Sequence, residues 1–333
     1  DMGKGEHDTA EKILTGCLSL QIIVSIILTV ILLIWNENLL LMFGASENTI
    51  SYATAYMNIY AIGTIFVQIT LGMNTFITAQ GFAKTGMYSV LIGAVINIIL
   101  DPILIFGYFG LPAFGVAGAA IATVIGQFSA AFLAFVLFKK YNTHLHISFK
   151  KFRVDFHVIS QLYSIAIPSS VMMCLPSVLV SLLNGILSSI SQSAVAFFGV
   201  YYKLQTFIYM PTSGIVQGMR PLMSYNYGAK LKERMHQILK VSGLVIAAIL
   251  GVGTLLFFII PNVLLSLFNA SSGMLEIGET GLRILSLSFI VSSFGVLMSG
   301  VFEALGLGKY SLTVSLLRQL LITVPLAYIL LNI

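Results

Sequence analysis

Charge is what this 333-residue chain has least of. Asp, Glu, Lys and Arg make up 9% of it against 58% hydrophobic residues, where a soluble domain carries about 25% charged residues. That scarcity, with a mean hydropathy of +0.98, excludes a soluble enzyme or binding module and describes a polytopic membrane protein. Cysteine is nearly missing as well. Cys17 and Cys174 both lie in apolar stretches, where they read as small packing residues, so no disulfide and no metal pair is expected. The five histidines fall in or beside polar loops, and His144 with His146 is too little for a metal site. The chain has no GxxxxGK phosphate loop, no HExxH motif and no signal peptide; it opens on polar DMGKGEHDTAEK, which reads as a loop.

What is there is a series of apolar runs. A helix needs about 20 apolar residues to cross the bilayer, and nine segments qualify: 13–34, 54–77, 86–107, 115–138, 157–187, 194–219, 238–260, 281–304 and 311–331. Thirteen of the 17 basic residues occupy one set of alternate loops, with Lys139, Lys140, Lys150, Lys151 and Arg153 concentrated in one of them. The other loops carry Glu37, Glu47, Glu276 and Glu279 and no Lys or Arg. By the positive-inside rule the basic loops face the cytoplasm. The net charge of +5 therefore reports membrane orientation and implies no nucleic acid.

The stretch FITAQGFAKTGMYSVLIGAVINIILDPILI, Phe76 to Ile105, returns 225 residues later as VFEALGLGKYSLTVSLLRQLLITVPLAYIL, Val301 to Leu330. Ala79, Gly81 and Lys84 fall on Ala304, Gly306 and Lys309, and the FGAS turn at Phe43 falls on FNAS at Phe268. Turns that match at one constant offset indicate an internal duplication. The offset pairs the first three spans with the last three, which predicts a full unit of two parallel six-helix halves, with this chain supplying the third to the eleventh of twelve helices. The expected organisation is an N-terminal lobe at 1–138, a cytoplasmic linker at 139–153 and a C-terminal lobe at 154–333.

NIILDPILIFGYFGLPAFGVAGAAIATVIGQ, Asn97 to Gln127, resembles the fifth and sixth helices of the multidrug and toxic compound extrusion (MATE) family. PTSGIVQGMRPLMSYNYGAKLKER, Pro211 to Arg234, resembles that family's eighth helix and the loop after it. The resemblance covers the whole chain and implies two helical lobes around a central cavity. It also implies export of organic cations or other amphipathic compounds in exchange for protons or sodium ions. The chain departs from the pattern in two respects. The first two helices of the family are absent, and the seventh and eighth helices lack the acidic residues that some members place there.

Ionisable residues inside membrane helices are costly and mark functional positions. Lys203 lies nine residues from the outer end of its span and Arg318 a similar distance from the inner end of its own. Lys203 either selects cargo or is a structural cation; Arg318 either lines the path or makes an ion pair that packs the lobe. Glu303, one turn from the Gly306 loop, either exchanges protons, reaches the interface or pairs with Arg318. Asp101 precedes Pro102, where the helix is expected to kink or end; it either satisfies that break or contacts the coupling ion. Arg220 is expected to snorkel to the interface. Pro168 and Pro176 are expected to interrupt one span and Pro211 the next, as happens where backbone lines a cavity. Ser169, Asn184, Gln205, Met172, Tyr202 and Tyr209 are candidates for an adaptable cavity lining, with packing or lipid contact as the alternative.

These readings converge on an all-α, multi-pass plasma-membrane protein of two repeated lobes. It is expected to act as a secondary drug exporter by alternating access. Its partners would be small-molecule drugs or organic cations and the bilayer, with no nucleic acid. It would need no cofactor beyond a coupling proton or sodium ion, bind no metal, and act as a monomer. The alternatives are a flippase for lipid-linked saccharides, which would line its cavity with more arginine, and an intramembrane enzyme, for which the chain offers no nucleophile–base pair, metal motif or paired membrane aspartates.

Overall fold

A computed structural model describes residues 2–5, 7–42, 46–141, 156–268 and 272–331. The 139–153 linker beyond residue 141, His144, His146 and most of the FGAS and FNAS turns lie outside the described residues. The chain divides into two compact units, Asp1–Val154 and Asp155–Ile333. Unit 1 contains α1 (His7–Ile34), the short α2 (Asn36–Met42), α3 (Ile50–Ala79), α4 (Ala83–Phe106) and α5 (Val116–Tyr141). Unit 2 contains α6 (Phe156–Ser188), α7 (Gln192–Gly228), α8 (Lys232–Ile259), the short α9 (Pro261–Ser266), α10 (Ser272–Ala304), α11 (Gly308–Leu316) and α12 (Thr323–Leu331). A π-helical segment, Leu317–Ile322, joins α11 to α12.

Among the described residues eight helices are long and apolar enough to cross a membrane. The ninth expected span, 194–219, forms as part of α7 but is not among them. The 37 residues of α7 include Lys203, Gln205, Gln217, Arg220 and Asn226, and these polar groups dilute its apolar runs. The expected proline breaks do not occur either. The helix α6 continues through Pro168 and Pro176 and α7 through Pro211, whereas α4 ends at Phe106, one turn beyond Pro102. Each proline removes one hydrogen bond, and neighbouring helices keep the rest of the ladder in place.

The repeat seen in the sequence is repeated in hydrogen bonds. In unit 1 the Thr29 hydroxyl donates across to the Ala61 carbonyl at 3.1 Å; in unit 2 the Thr254 hydroxyl donates to the Ser286 carbonyl at 3.0 Å. Both partners are displaced by the same 225 positions. The turns agree too. The Phe82 amide bonds the Ile77 carbonyl as the Leu307 amide bonds the Phe302 carbonyl, with Gly81 and Gly306 at φ +92° and +75°. Such a left-handed residue is the usual helix C-terminal stop, and glycine adopts it without strain.

Within hydrocarbon the hydrophobic effect does not drive helices together, so close packing and polar contacts must. In unit 1, α4 and α5 meet at Gly93 and Gly126: a methyl group at Gly93 would sit 2.7 Å from the Gly126 carbonyl oxygen and from the Ala130 methyl. Gly93→Ala is therefore expected to cost about 1 kcal/mol by overpacking and to lower the thermal unfolding temperature in detergent. Gly16→Ala, where a methyl would meet nothing within 4 Å, serves as the control and leaves that temperature unchanged or raises it. Unit 2 packs α7, α8 and α10 around Phe257, Phe289, Leu250, Leu265 and Leu282, all essentially inaccessible.

Candidate functional site

The packed face of α7 runs through Ala194, Phe197, Tyr201, Leu204, Thr212, Val216, Met219, Met223 and Asn226, at helical spacings of three and four apart from one step of eight after Leu204. A different face carries Lys203, Thr206, Met210, Ser213, Gln217, Arg220 and Ser224 at the same spacings, and all of these are exposed except half-buried Arg220. This second stripe is about 31 Å long at 1.5 Å per residue, as long as the hydrocarbon core is thick. A mostly polar stripe of that length does not suit lipid.

Three polar contacts tie α7 to α10 along the stripe's flank. The Tyr209 and Ser292 hydroxyls are hydrogen-bonded, and the Tyr209 ring packs edge-on against Phe289 with centroids 5.6 Å apart. Lower down, Arg220 forms an ion pair with Glu303 at 2.5 Å. One turn further the Ser224 hydroxyl donates to the Ala304 carbonyl at 2.5 Å. Glu303 thus has Arg220, not Arg318, as its partner, and Arg220 is engaged between α7 and α10. The Arg220 Nε remains buried without an acceptor.

Arg318 is brought from far along the sequence to the seam of α7 and α10. There Tyr209, one turn after Gln205 on α7, is bonded to Ser292. Arg318 also lies against α10, where a methyl at Gly295 would come 3.1 Å from its Nη1. Arg318 is exposed and belongs to the π-helical segment, whose register shift is capped by the Thr323 hydroxyl donating 2.7 Å to the Arg318 carbonyl. Lys203 is exposed on the α7 stripe. Other candidates sit apart. The Met172 sulfur accepts from Ser311 and Ser315 at 3.2 and 3.5 Å, which makes it a packing contact between α6 and α11. Ser169 and Tyr202 are half-buried, and Asn184 presents a buried side-chain oxygen with no hydrogen-bond partner.

In unit 1 Asp101 is half-buried on α4. Asn97, one turn earlier on the same face, donates to its carboxylate at 3.1 Å and lies 3.4 Å from the Thr123 hydroxyl of α5. A carboxylate, a carboxamide and a hydroxyl are thereby gathered between two membrane helices, and among the described residues no cation pairs with Asp101. Asn97 and Thr123 were not singled out in the sequence. The i, i+4 spacing of Asn97 and Asp101 was a readable signal, whereas the Thr123 contact depends on how α4 and α5 pack. An apolar groove between α7 and α8, lined by Phe207, Ile208, Pro211 and Val252, presents no polar group that would orient a ligand.

The MatE family model matches residues 1–103 and 168–329 of the chain. The multidrug export protein MepA of Staphylococcus aureus strain MSSA476 is 27% identical over 308 residues, covering 92% of this chain and 67% of that protein. The protein of the same name from Staphylococcus haemolyticus is 27% identical over 310 residues, covering 93% and 67%. Among solved structures, a multidrug resistance MATE family transporter of the MOP superfamily in an outward-facing conformation superposes with a TM-score of 0.89 at 23% identity. It is matched over 99% of this chain and 73% of that one. A MOP superfamily transporter from Pyrococcus furiosus gives the same TM-score, identity and coverage. At this identity the structural likeness speaks for the fold.

Proposed function

Because the chain belongs to the MatE family, and so to a family of transporters, we propose that it is a secondary exporter of amphipathic organic compounds. It would expel them in exchange for protons or sodium ions by alternating access, with no enzymatic step. The protein is a multi-pass protein of the plasma membrane. The names of its relatives point to drug export, and organic cations are the cargo that the family resemblance implies. The observation that carries the reading is α7, a membrane-length helix with a packed apolar face and a solvent-fit polar face. A helix of that kind lines an aqueous path through a bilayer.

The parts take the following roles. Asp101 binds the coupling ion, since its carboxylate accepts a proton and carboxylate oxygens suit a hard cation, while Asn97 donates to it and holds it beside Thr123. The polar stripe of α7 and the Gln205–Tyr209–Ser292–Arg318 cluster meet the cargo. The Arg220–Glu303 pair holds α7 to α10 at the cytoplasmic end. No further cofactor is required, and one chain suffices.

The test is transport by the full-length protein in liposomes loaded with an amphipathic dye. A proton gradient and a sodium gradient are imposed separately. One of the two is expected to drive dye movement, and an ionophore for that ion to stop it. Dye movement indifferent to both gradients would overturn antiport.

A further inference from the structure

Unit 2 carries two cations within its membrane helices, Lys203 and Arg318, that form no ion pair among the described residues. Of the acids at the inner ends of those helices, Glu303 is already engaged by Arg220 at 2.5 Å, and Glu233 lies in the first turn of α8. The Glu279 carboxylate at the outer end is engaged by Arg283 at 2.8 Å. An unpaired guanidinium at membrane depth is costly, and it is retained where it meets a ligand or partner. Arg318 lies against α10 at Gly295, one turn from Ser292, whose hydroxyl is bonded to that of Tyr209, and Gln205 stands one turn before Tyr209 on α7. Each of these can donate a hydrogen bond. They come from three separate elements, α7, α10 and the π-helical segment. A π-helical turn inserted in an α-helix is frequently found at a functional position, and here it sets the register at which Arg318 meets Gly295.

We propose that Arg318, Tyr209, Ser292 and Gln205 form an anion-binding subsite that takes the carboxylate or phosphate head of amphipathic cargo. The guanidinium fork matches a carboxylate or phosphate with two parallel hydrogen bonds. The Tyr209 hydroxyl, turned away from Ser292, then donates to a remaining oxygen lone pair, its ring held by the edge-on contact with Phe289; the Ser292 hydroxyl, which donates to the Phe289 carbonyl at 2.9 Å, must leave that bond to join it. Lys203 lies six residues before Tyr209, about 9 Å along α7, and extends the positive potential along the exposed stripe. The inference rests on the exporter reading and narrows its cargo: a pathway with two unpaired cations disfavours an organic cation and favours an acidic or zwitterionic amphiphile.

The test compares decanoate with decyltrimethylammonium, which share a chain length and differ in the sign of the head. Binding is measured by calorimetry on the full-length protein in nanodiscs of zwitterionic lipid. The wild type is expected to bind decanoate at least about tenfold more tightly, the worth of one charge-assisted hydrogen bond. Arg318→Gln is expected to remove the preference. Tyr209→Phe, which keeps the ring packing, is expected to weaken decanoate about threefold or more without affecting the ammonium compound; it decides the matter if Arg318→Gln does not fold. Equal or tighter binding of the ammonium compound by the wild type overturns the subsite and leaves the exporter reading standing. Adding phosphatidylglycerol to the nanodiscs is expected to leave decanoate binding unchanged. Competition by that lipid would assign the subsite to a lipid headgroup and overturn the cargo assignment. Gradient-driven movement of an uncharged amphipathic dye, measured in parallel, tests the exporter reading independently.

Discussion

Asp101→Asn is expected to abolish gradient-driven transport while the protein stays folded and continues to bind cargo. A driving ion shifts a conformational equilibrium only by its difference in affinity for the two states, and a ligand bound equally by both shifts nothing. The substitution keeps the size of the side chain and a hydrogen-bonding partner for Asn97, now 3.1 Å from the carboxylate. It removes the charge that distinguishes an occupied ion site from an empty one. The expected result is a fall of at least about tenfold in transport per folded molecule, equivalent to about 1.4 kcal/mol of lost coupling, with cargo affinity within about twofold of wild type. Asp101→Glu keeps the charge and displaces it, so it should retain part of the rate. If Asp101 only braces α4 beside Pro102, Asp101→Asn and Asn97→Ala should both lower thermal stability and leave transport per folded molecule untouched. Transport at the wild-type rate in Asp101→Asn ends the coupling role.

The parts of the fold that were legible in the sequence are those set by local composition or by a constant offset. Apolar runs placed the spans because a membrane helix must be apolar along its length, and the turns at Gly81 and Gly306 exposed the duplication because both demand a left-handed glycine. The Thr29–Ala61 and Thr254–Ser286 contacts show that the duplication extends to the packing, where apolar matches alone would have carried little information. What the sequence misjudged depends on neighbours. Pro168, Pro176 and Pro211 read as breaks, yet a proline inside a covered helix costs one hydrogen bond and leaves the helix continuous. The span containing α7 looked like the others because its apolar residues outnumber its polar ones; only the helical rotation shows that the polar ones share an exposed face.

The candidate site divides in the same way. Asp101, Lys203, Glu303 and Arg318 were identifiable one by one, since each is an ionisable residue within an apolar run. Their partners were not. Glu303 shares its lobe with four arginines, Arg220, Arg234 and Arg283 before it and Arg318 after it, and nothing in the order of residues says which one the helix packing brings close. Arg318 approaches Gly295 of α10 through a π-helical turn that no periodicity announced. Met172 read as cavity lining or packing, and its sulfur accepts hydrogen bonds from two serines of α11, a contact that residue order does not reveal.

The pairing of Glu303 with Arg220 leads to the second large effect, one of stability. Glu303→Gln leaves the Arg220 guanidinium without its counter-ion while its Nε is already buried and unpartnered. Breaking a fully buried pair costs about 3 to 5 kcal/mol. The Arg220 side chain is 40% exposed against 14% for Glu303, so water screens part of the loss, and about 2 kcal/mol is the expected cost. It should appear as a lower thermal unfolding temperature in detergent. The Ser224–Ala304 contact, one turn away on the same two helices, limits the damage to the end of the α7–α10 seam. Removing both charges, in Arg220→Gln with Glu303→Gln, should recover much of the lost stability, because no unpaired charge remains. The charge reversal Arg220→Glu with Glu303→Arg should recover some of it by restoring the pair in the opposite sense. Throughout the series, transport per folded molecule should keep the wild-type pH profile, since in this arrangement Glu303 holds helices together and Asp101 binds the ion. A Glu303→Gln protein with wild-type stability and a flattened pH profile would reverse the assignment and make Glu303 the proton carrier.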